Sequence, residues 1–144
     1  MKYILGIDAG TSNVKAVLFD ECGNEVCVSS MESRTANGTA NQMEQDMDLI
    51  WEKVKQCVKG AIEEGTGIHD EVIAVGVTGQ GEGCWLIDSE GNPVQNAILW
   101  CDGRAVDEVK AITDDHPEIG RLYHTTTGTP PLLGNQMILL KWMK

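Results

Sequence analysis

Basic residues are scarce in this chain: 11 Lys and Arg stand against 22 Asp and Glu, a formal charge of −11 at pH 7. A surface of that sign repels phosphate backbones and anionic lipid, so nucleic acid and membrane surfaces drop out as partners. The acidic residues are spread along the chain and read as ordinary solubility. Long apolar runs are also missing. No stretch approaches the roughly 18 residues that a membrane span needs, and the apolar opening from Tyr3 to Ile7 is too short for a signal-peptide core. The five cysteines, at 22, 27, 57, 84 and 101, include no C-x-x-C pair, which argues against a zinc site or a disulfide framework and for free thiols in a reducing cytoplasm. Internal repeats, low-complexity tracts and linkers are lacking too. With 42% hydrophobic residues in 144, the chain can bury the core of one ordinary domain.

Short apolar runs broken by turn residues come first. Tyr3–Asp8, Val14–Asp20 and Glu25–Ser30 read as strands joined by the turns at 10–13 and 21–24, an antiparallel three-strand meander. Residues 34–45 are polar and read as loop. Asp46 suits a helix N-cap, and Leu49, Ile50, Val54, Cys57, Val58, Ala61 and Ile62 follow as a helical stripe ended by Gly65 and Gly67. Val72–Thr78 reads as a fully buried strand. Short strands at 84–87 and 97–100, a helix over 104–113, an irregular stretch at 128–134 and a helix over 137–143 complete the chain. The order predicts an α/β domain with a mixed sheet. The last helical pattern still runs at Lys144, so the expectation is an incomplete domain, a piece of something longer.

The first chemistry-bearing motif is Asp8-Ala9-Gly10-Thr11 at a strand end. Gly10 allows positive φ and close backbone approach. Thr11, Ser12 and Asn13 bring hydroxyl, amide and successive N–H groups that can form an anion-binding nest. Asp8 is a hard oxygen ligand suited to Mg²⁺, and Lys15 can offset phosphate charge. Together these predict a hairpin that holds the phosphates and metal of ATP. The Walker spacing is absent, and a strand follows where a P-loop has a helix. Two alternatives stay open at this motif: a plain hairpin turn, and the catalytic loop of an aspartic protease. Ala9 argues against the protease, because it lacks the hydroxyl that braces paired protease loops.

The second motif, Val75-Gly76-Val77-Thr78-Gly79-Gln80-Gly81-Glu82-Gly83, puts a carboxamide and a carboxylate among glycines after a strand. That pair suits a polyhydroxylated ligand, since Glu82 accepts from hydroxyls and Gln80 both donates and accepts. Downstream, Trp100, Asp102 and Arg104 offer an aromatic face for a sugar, a carboxylate for its hydroxyls and a guanidinium. The competing readings are a core residue for Trp100 and a structural ion pair between Arg104 and Asp102.

Taken together, GIDAGTSNVKAVLFD, MEQDMDLIW, VTGQGEG with AILWCDGRA, and TTGTPPLLGNQMILLKW resemble the N-terminal domain of the FGGY carbohydrate kinases across essentially the whole chain. The resemblance implies a ribonuclease-H-like, actin-like ATPase fold and transfer of the γ-phosphoryl of MgATP to a sugar or polyol hydroxyl. It implies that residues 1–144 form the N-terminal part of domain I, with the rest of the same kinase as partner. Asp8 would organise Mg²⁺, Thr11 and Lys15 would serve the phosphates, and Gln80, Gly81, Glu82 and Trp100 would line the sugar pocket. The family's general base would lie beyond Lys144, so no catalytic residue is expected here and the chain alone is expected to be inactive. Q-G-E-G at 80–83 resembles the erythritol and L-xylulose kinase branches, which favours a tetritol or pentulose. A non-catalytic actin-like ATPase remains the alternative, and a homodimer stays open.

Overall fold

In a computed structural model, residues 1–33, 36–37, 41–67 and 70–144 are described. The chain divides into two compact units, Met1–Thr35 with Met47–Gln80 and Ala36–Asp46 with Gly81–Lys144.

The first unit starts with the expected meander: β1 (Lys2–Ala9), β2 (Asn13–Asp20) and β3 (Glu25–Glu32) pair antiparallel in sequence order. After α1 (Met47–Gly65), the strand β6 (Glu71–Gly79) returns parallel to β1, giving the mixed order β3-β2-β1-β6. Strand alternation sends Tyr3 and Leu5 of β1 and Val14, Ala16 and Leu18 of β2 to one face. They are buried there against Ile50, Cys57 and Ala61 of α1, flanked by Val54 and Val58. The helical stripe read from the sequence therefore packs as expected, except that Leu49 at its start is 44% exposed.

The expectation of a fully buried strand at Val72–Thr78 is corrected. Among the described residues β6 is an edge strand, paired only with β1, and Ile73, Val75 and Val77 stand 50%, 57% and 74% exposed. Its apolar composition reports what a strand covered on both faces would need; among the described residues only Val72 is half-buried, against the core under α1.

The second unit is built on an antiparallel sheet of order β4-β5-β8-β7. The polar stretch expected as loop contains β4 (Ala36–Asn37) and β5 (Met43–Gln45); its residues 34–35 and 38–40 lie outside the described residues. Strand β5 forms because Glu44 and Gln45 pair with Ile98 and Ala97 of β8 (Ala97–Leu99), a partner some 50 residues away that local propensity cannot show. The strand expected at 84–87 shrinks to β7 (Gly83–Cys84), followed by a bridge between Ile87 and Pro93. The helix expected at 104–113 is α2 (Val106–Lys110) running into a π-helical turn, Ala111–Asp115. A further helix, α3 (Pro117–Thr127), was not anticipated, although Pro117 opens it and Gly128, at φ 78°, closes it; that bracket is its sequence signal. Finally α4 (Gln136–Trp142) places Ile138 and Leu139 in a core with Cys84, Ile98 and Ala105.

Each unit carries the same turn. In Asp20-Glu21-Cys22-Gly23-Asn24 and in Asp88-Ser89-Glu90-Gly91-Asn92, the Asp carboxylate accepts from the N–H groups two and four residues on and from the Asn amide. Gly23 and Gly91 both sit at positive φ, 83° and 87°. All five cysteines are free thiols, two of them buried.

Candidate functional site

In the first unit, the strand register sets the site. Asp8 pairs with Lys15 across β1–β2 and with Thr78 across β1–β6, so the three form one row near the end of the hairpin. Their face is the one opposite α1, because Leu5 lies an odd number of residues from Asp8 on β1 and is buried on the helix side. Asp8, Lys15 and Thr78 line an open groove of about 420 Å³ whose floor includes Gly6, Val17, Phe19 and Gly76. Gly6 and Gly76 are register partners, and their missing side chains hollow the sheet face beside the charged row. Asp8 and Lys15 are both exposed.

The turn at 10–13 differs in one respect from its sequence reading. Gly10 is not at positive φ; a Cβ there would lie 2.9 Å from the Asn13 carbonyl oxygen, so close approach is what demands glycine. The Gly10 N–H donates to that same carbonyl at 3.0 Å, which spends it on closing the hairpin. The Ser12 carbonyl accepts from Ser33 N–H at 2.7 Å. Thr11 is half-buried, and Ser12 and Asn13 present exposed side chains just beyond Asp8. Gln80 is half-buried and is the last residue of this unit.

In the second unit, Gly81 and Glu82 are exposed and lead into Gly83. Gly83, at φ 104°, donates its N–H to the Gly134 carbonyl at 2.9 Å. A Cβ on Gly83 would lie 2.7 Å from the Ile98 carbonyl oxygen, and one on Gly134 would lie 1.9 Å from that of Trp100. Two glycines from distant segments thus let the Glu82 loop and the 130–135 stretch close on the backbone at Trp100. Trp100 itself is 53% exposed, so the core alternative does not describe it.

Asp102 and Arg104 come together, but with each other. Asp102 is wholly buried. Its Oδ1 accepts from the backbone N–H and from Nε of Arg104, both at 2.9 Å, and its Oδ2 accepts from Arg104 Nη2 at 2.8 Å and from Met43 N–H at 2.7 Å. Arg104 Nη2 also reaches Glu44 at 2.7 Å, and the guanidinium lies 5.1 Å from the Trp142 ring centroid. Burial would raise the Asp102 pKa; the bonds from Arg104 and Met43 outweigh it and hold the carboxyl below its ordinary value. The expectation that Asp102 bonds sugar hydroxyls therefore gives way to the ion-pair reading, because its oxygens are spent inside the protein. What the pair fixes is the turn bearing Trp100, closed by Asp102 N–H on the Leu99 carbonyl at 3.0 Å.

Three residues were missed by the sequence reading. Thr78 is placed beside Asp8 only by parallel pairing. Asn135 and Tyr123 are joined by a hydrogen bond from the Tyr123 hydroxyl to Asn135 Oδ1 at 2.8 Å, which the spacing of 12 residues between a helix and a loop does not announce.

Residues 3–144 match the model of the "FGGY family of carbohydrate kinases, N-terminal domain". An erythritol kinase of Brucella abortus is 31% identical over 87% of this chain and 24% of its own length. A probable L-xylulose kinase of Pasteurella multocida is 32% identical over 100% of this chain and 29% of its own. The solved gluconate kinase of Lactobacillus acidophilus superposes with a TM-score of 0.88 at 25% identity, over 99% of this chain and 28% of that one. The chain thus spans 24% to 29% of the length of these relatives.

Proposed function

The chain belongs to the FGGY family of carbohydrate kinases and shares its actin-like ATPase fold; from that premise, we propose that it is the nucleotide-phosphate and sugar-binding part of an ATP-dependent kinase acting on a small polyol or ketose. The observation that carries the reading is the row Lys15–Asp8–Thr78 along an open groove at the end of a glycine-tipped hairpin. An aspartic protease is set aside by the family match.

The residues present fit a bound MgATP. Mg²⁺ favours one or two carboxylates together with phosphate oxygens and retained water, and Asp8 supplies a single exposed carboxylate. Lys15, directly across the ladder, offers the compensating cation, while Gly10, Thr11, Ser12 and Asn13 form the turn that would face the phosphates. The nucleotide supplies a transferable γ-phosphoryl group; catalysis of its transfer is mostly positioning and charge stabilisation. In the second unit Gly81, Glu82 and Trp100 serve the acceptor: the carboxylate takes hydrogen bonds from sugar hydroxyls, and the indole covers an apolar face of the carbon chain. Asp102 and Arg104 act on the acceptor only by holding the Trp100 turn.

The kinases similar to this chain act, by their names, on erythritol, L-xylulose and gluconate. The small Gly81 leaves room next to Glu82 and favours a tetritol or pentulose. The whole kinase works in the cytoplasm, where ATP and such acceptors meet; among the described residues no helix is long and apolar enough to cross a membrane. The test is acceptor-dependent ADP release by the intact kinase, with MgATP and a panel of erythritol, L-xylulose, D-xylulose, glycerol and gluconate. Preference for a four- or five-carbon acceptor is expected. Release that ignores every acceptor would overturn the kinase reading.

A further inference from the structure

Helix α3 is mostly exposed, and Tyr123, with Gly120, is one of the two residues it half-buries. Its half-buried ring carries a hydroxyl that donates to Oδ1 of Asn135 at 2.8 Å. Asn135 is 4% exposed, and the same Oδ1 accepts the Leu132 N–H at 2.8 Å. The Asn135 N–H in turn donates to the Leu132 carbonyl at 3.0 Å. The 132–135 turn is therefore closed twice, once through the backbone and once through a side chain that Tyr123 holds.

That turn has little freedom to move without taking its neighbours along. Gly134, inside it, accepts the Gly83 N–H at 2.9 Å and packs its α-carbon where any side chain would strike the Trp100 carbonyl. Gly83 directly follows Glu82. Electrostatics agrees with the geometry: burial first, and the Glu82 carboxylate second, push the Tyr123 hydroxyl above its ordinary value.

We infer that Tyr123 is a positioning residue for the acceptor: through Asn135 and Gly134 it sets where Glu82 and the Trp100 backbone stand. This rests on the reading of Glu82 as a sugar-binding carboxylate. Tyr123 touches no substrate in this scheme, and its loss loosens acceptor binding while leaving the nucleotide side alone.

The test compares Tyr123→Phe, Asn135→Ala, their double variant and Glu82→Gln in the intact kinase, reading KM for acceptor, KM for ATP, kcat and thermal midpoint. Tyr123→Phe keeps the ring and removes one neutral hydrogen bond, so acceptor KM is expected to rise about fivefold, with ATP KM and midpoint unchanged. Adding Tyr123→Phe to Asn135→Ala should cost nothing further, since both cut one brace. An unchanged acceptor KM in Tyr123→Phe, while Glu82→Gln raises it, overturns the positioning role and leaves the Glu82 reading intact. Parallel losses in acceptor KM, ATP KM and midpoint make Tyr123 merely structural and also overturn it. If Glu82→Gln leaves acceptor KM unchanged, the Glu82 reading itself fails and takes the inference with it.

Discussion

Arg104 grips Asp102 with a two-pronged fork, Nε to Oδ1 at 2.9 Å and Nη2 to Oδ2 at 2.8 Å, in a position where Asp102 has no exposed surface and Arg104 is 12% exposed. A planar guanidinium matches a carboxylate in this way and an ammonium cannot. The pair ties β5, through Met43 N–H and Glu44, to the turn after β8.

Removing Asp102 leaves Arg104 with Glu44 as its remaining ion partner and takes the acceptor from Met43 N–H. Asp102→Ala is expected to cost the second unit about 3–5 kcal/mol, measured by urea unfolding of the intact kinase. Arg104→Lys should also destabilise, because the fork is lost while the charge remains. A cost below about 1 kcal/mol, typical of exposed pairs, would show that Arg104 and Asp102 are not a buried unit.

Acid should expose the same linkage. The folded Asp102 carboxyl titrates below its unfolded value of about 3.9, so its stabilisation is complete above that value and vanishes as pH falls through the folded one. Asp20 and Asp88 are lowered in the same direction, chiefly by hydrogen bonds with Asn24 and Asn92. Thermal midpoints should drop steeply below about pH 4, and less steeply in Asp102→Asn. Equal slopes in the two proteins would remove Asp102 from the account.

On the phosphate side, Asp8→Asn keeps the size of the side chain and removes the charge that a metal needs. In the intact kinase, kcat should fall by about a hundredfold or more, while acceptor affinity by equilibrium titration holds. Weakened acceptor binding with normal kcat would place Asp8 on the wrong side of the reaction.

The 144-residue chain on its own is expected to turn over no ATP in response to sugar, because it spans only 24–29% of the length of related kinases and phosphoryl transfer depends mostly on positioning. Acceptor-dependent ADP release from the purified chain would refute this.

Edge strand β6 is expected to govern how that isolated chain associates. Among the described residues β6 pairs only with β1, so exposed Val75 and Val77 lie on an open strand edge that can template pairing with another copy. Light scattering should show concentration-dependent association, reduced by Val77→Lys at the most exposed of these positions. Association that ignores the substitution would point to a different surface.

Local chemistry carried much of this structure into the sequence. The meander is visible because tight turns join strands that pair with their neighbours, and α1 because its apolar spacing repeats every helical turn. Strand β5 is not visible: Met43, Glu44 and Gln45 are polar or neutral by propensity and become a strand only by pairing with β8. The π-helical turn at Ala111–Asp115 escapes for a related reason, since nothing in its composition separates it from the helix before it.

At the site, the chemical inventory can be read from residue order alone. The carboxylate and lysine of the first hairpin, the Gln80–Glu82 loop and the Trp100 segment are all legible, because residue type and spacing in a turn are local properties. Tertiary structure decided what each member does with its neighbours. Register put Thr78 beside Asp8, on the side opposite Lys15. Burial turned Asp102 from a presumed sugar ligand into the anchor of Arg104, because its oxygens are consumed by partners from 43 and 104. Tyr123 and Asn135, ordinary residues in the sequence, gained a role only when folding brought their side chains within a hydrogen bond of each other.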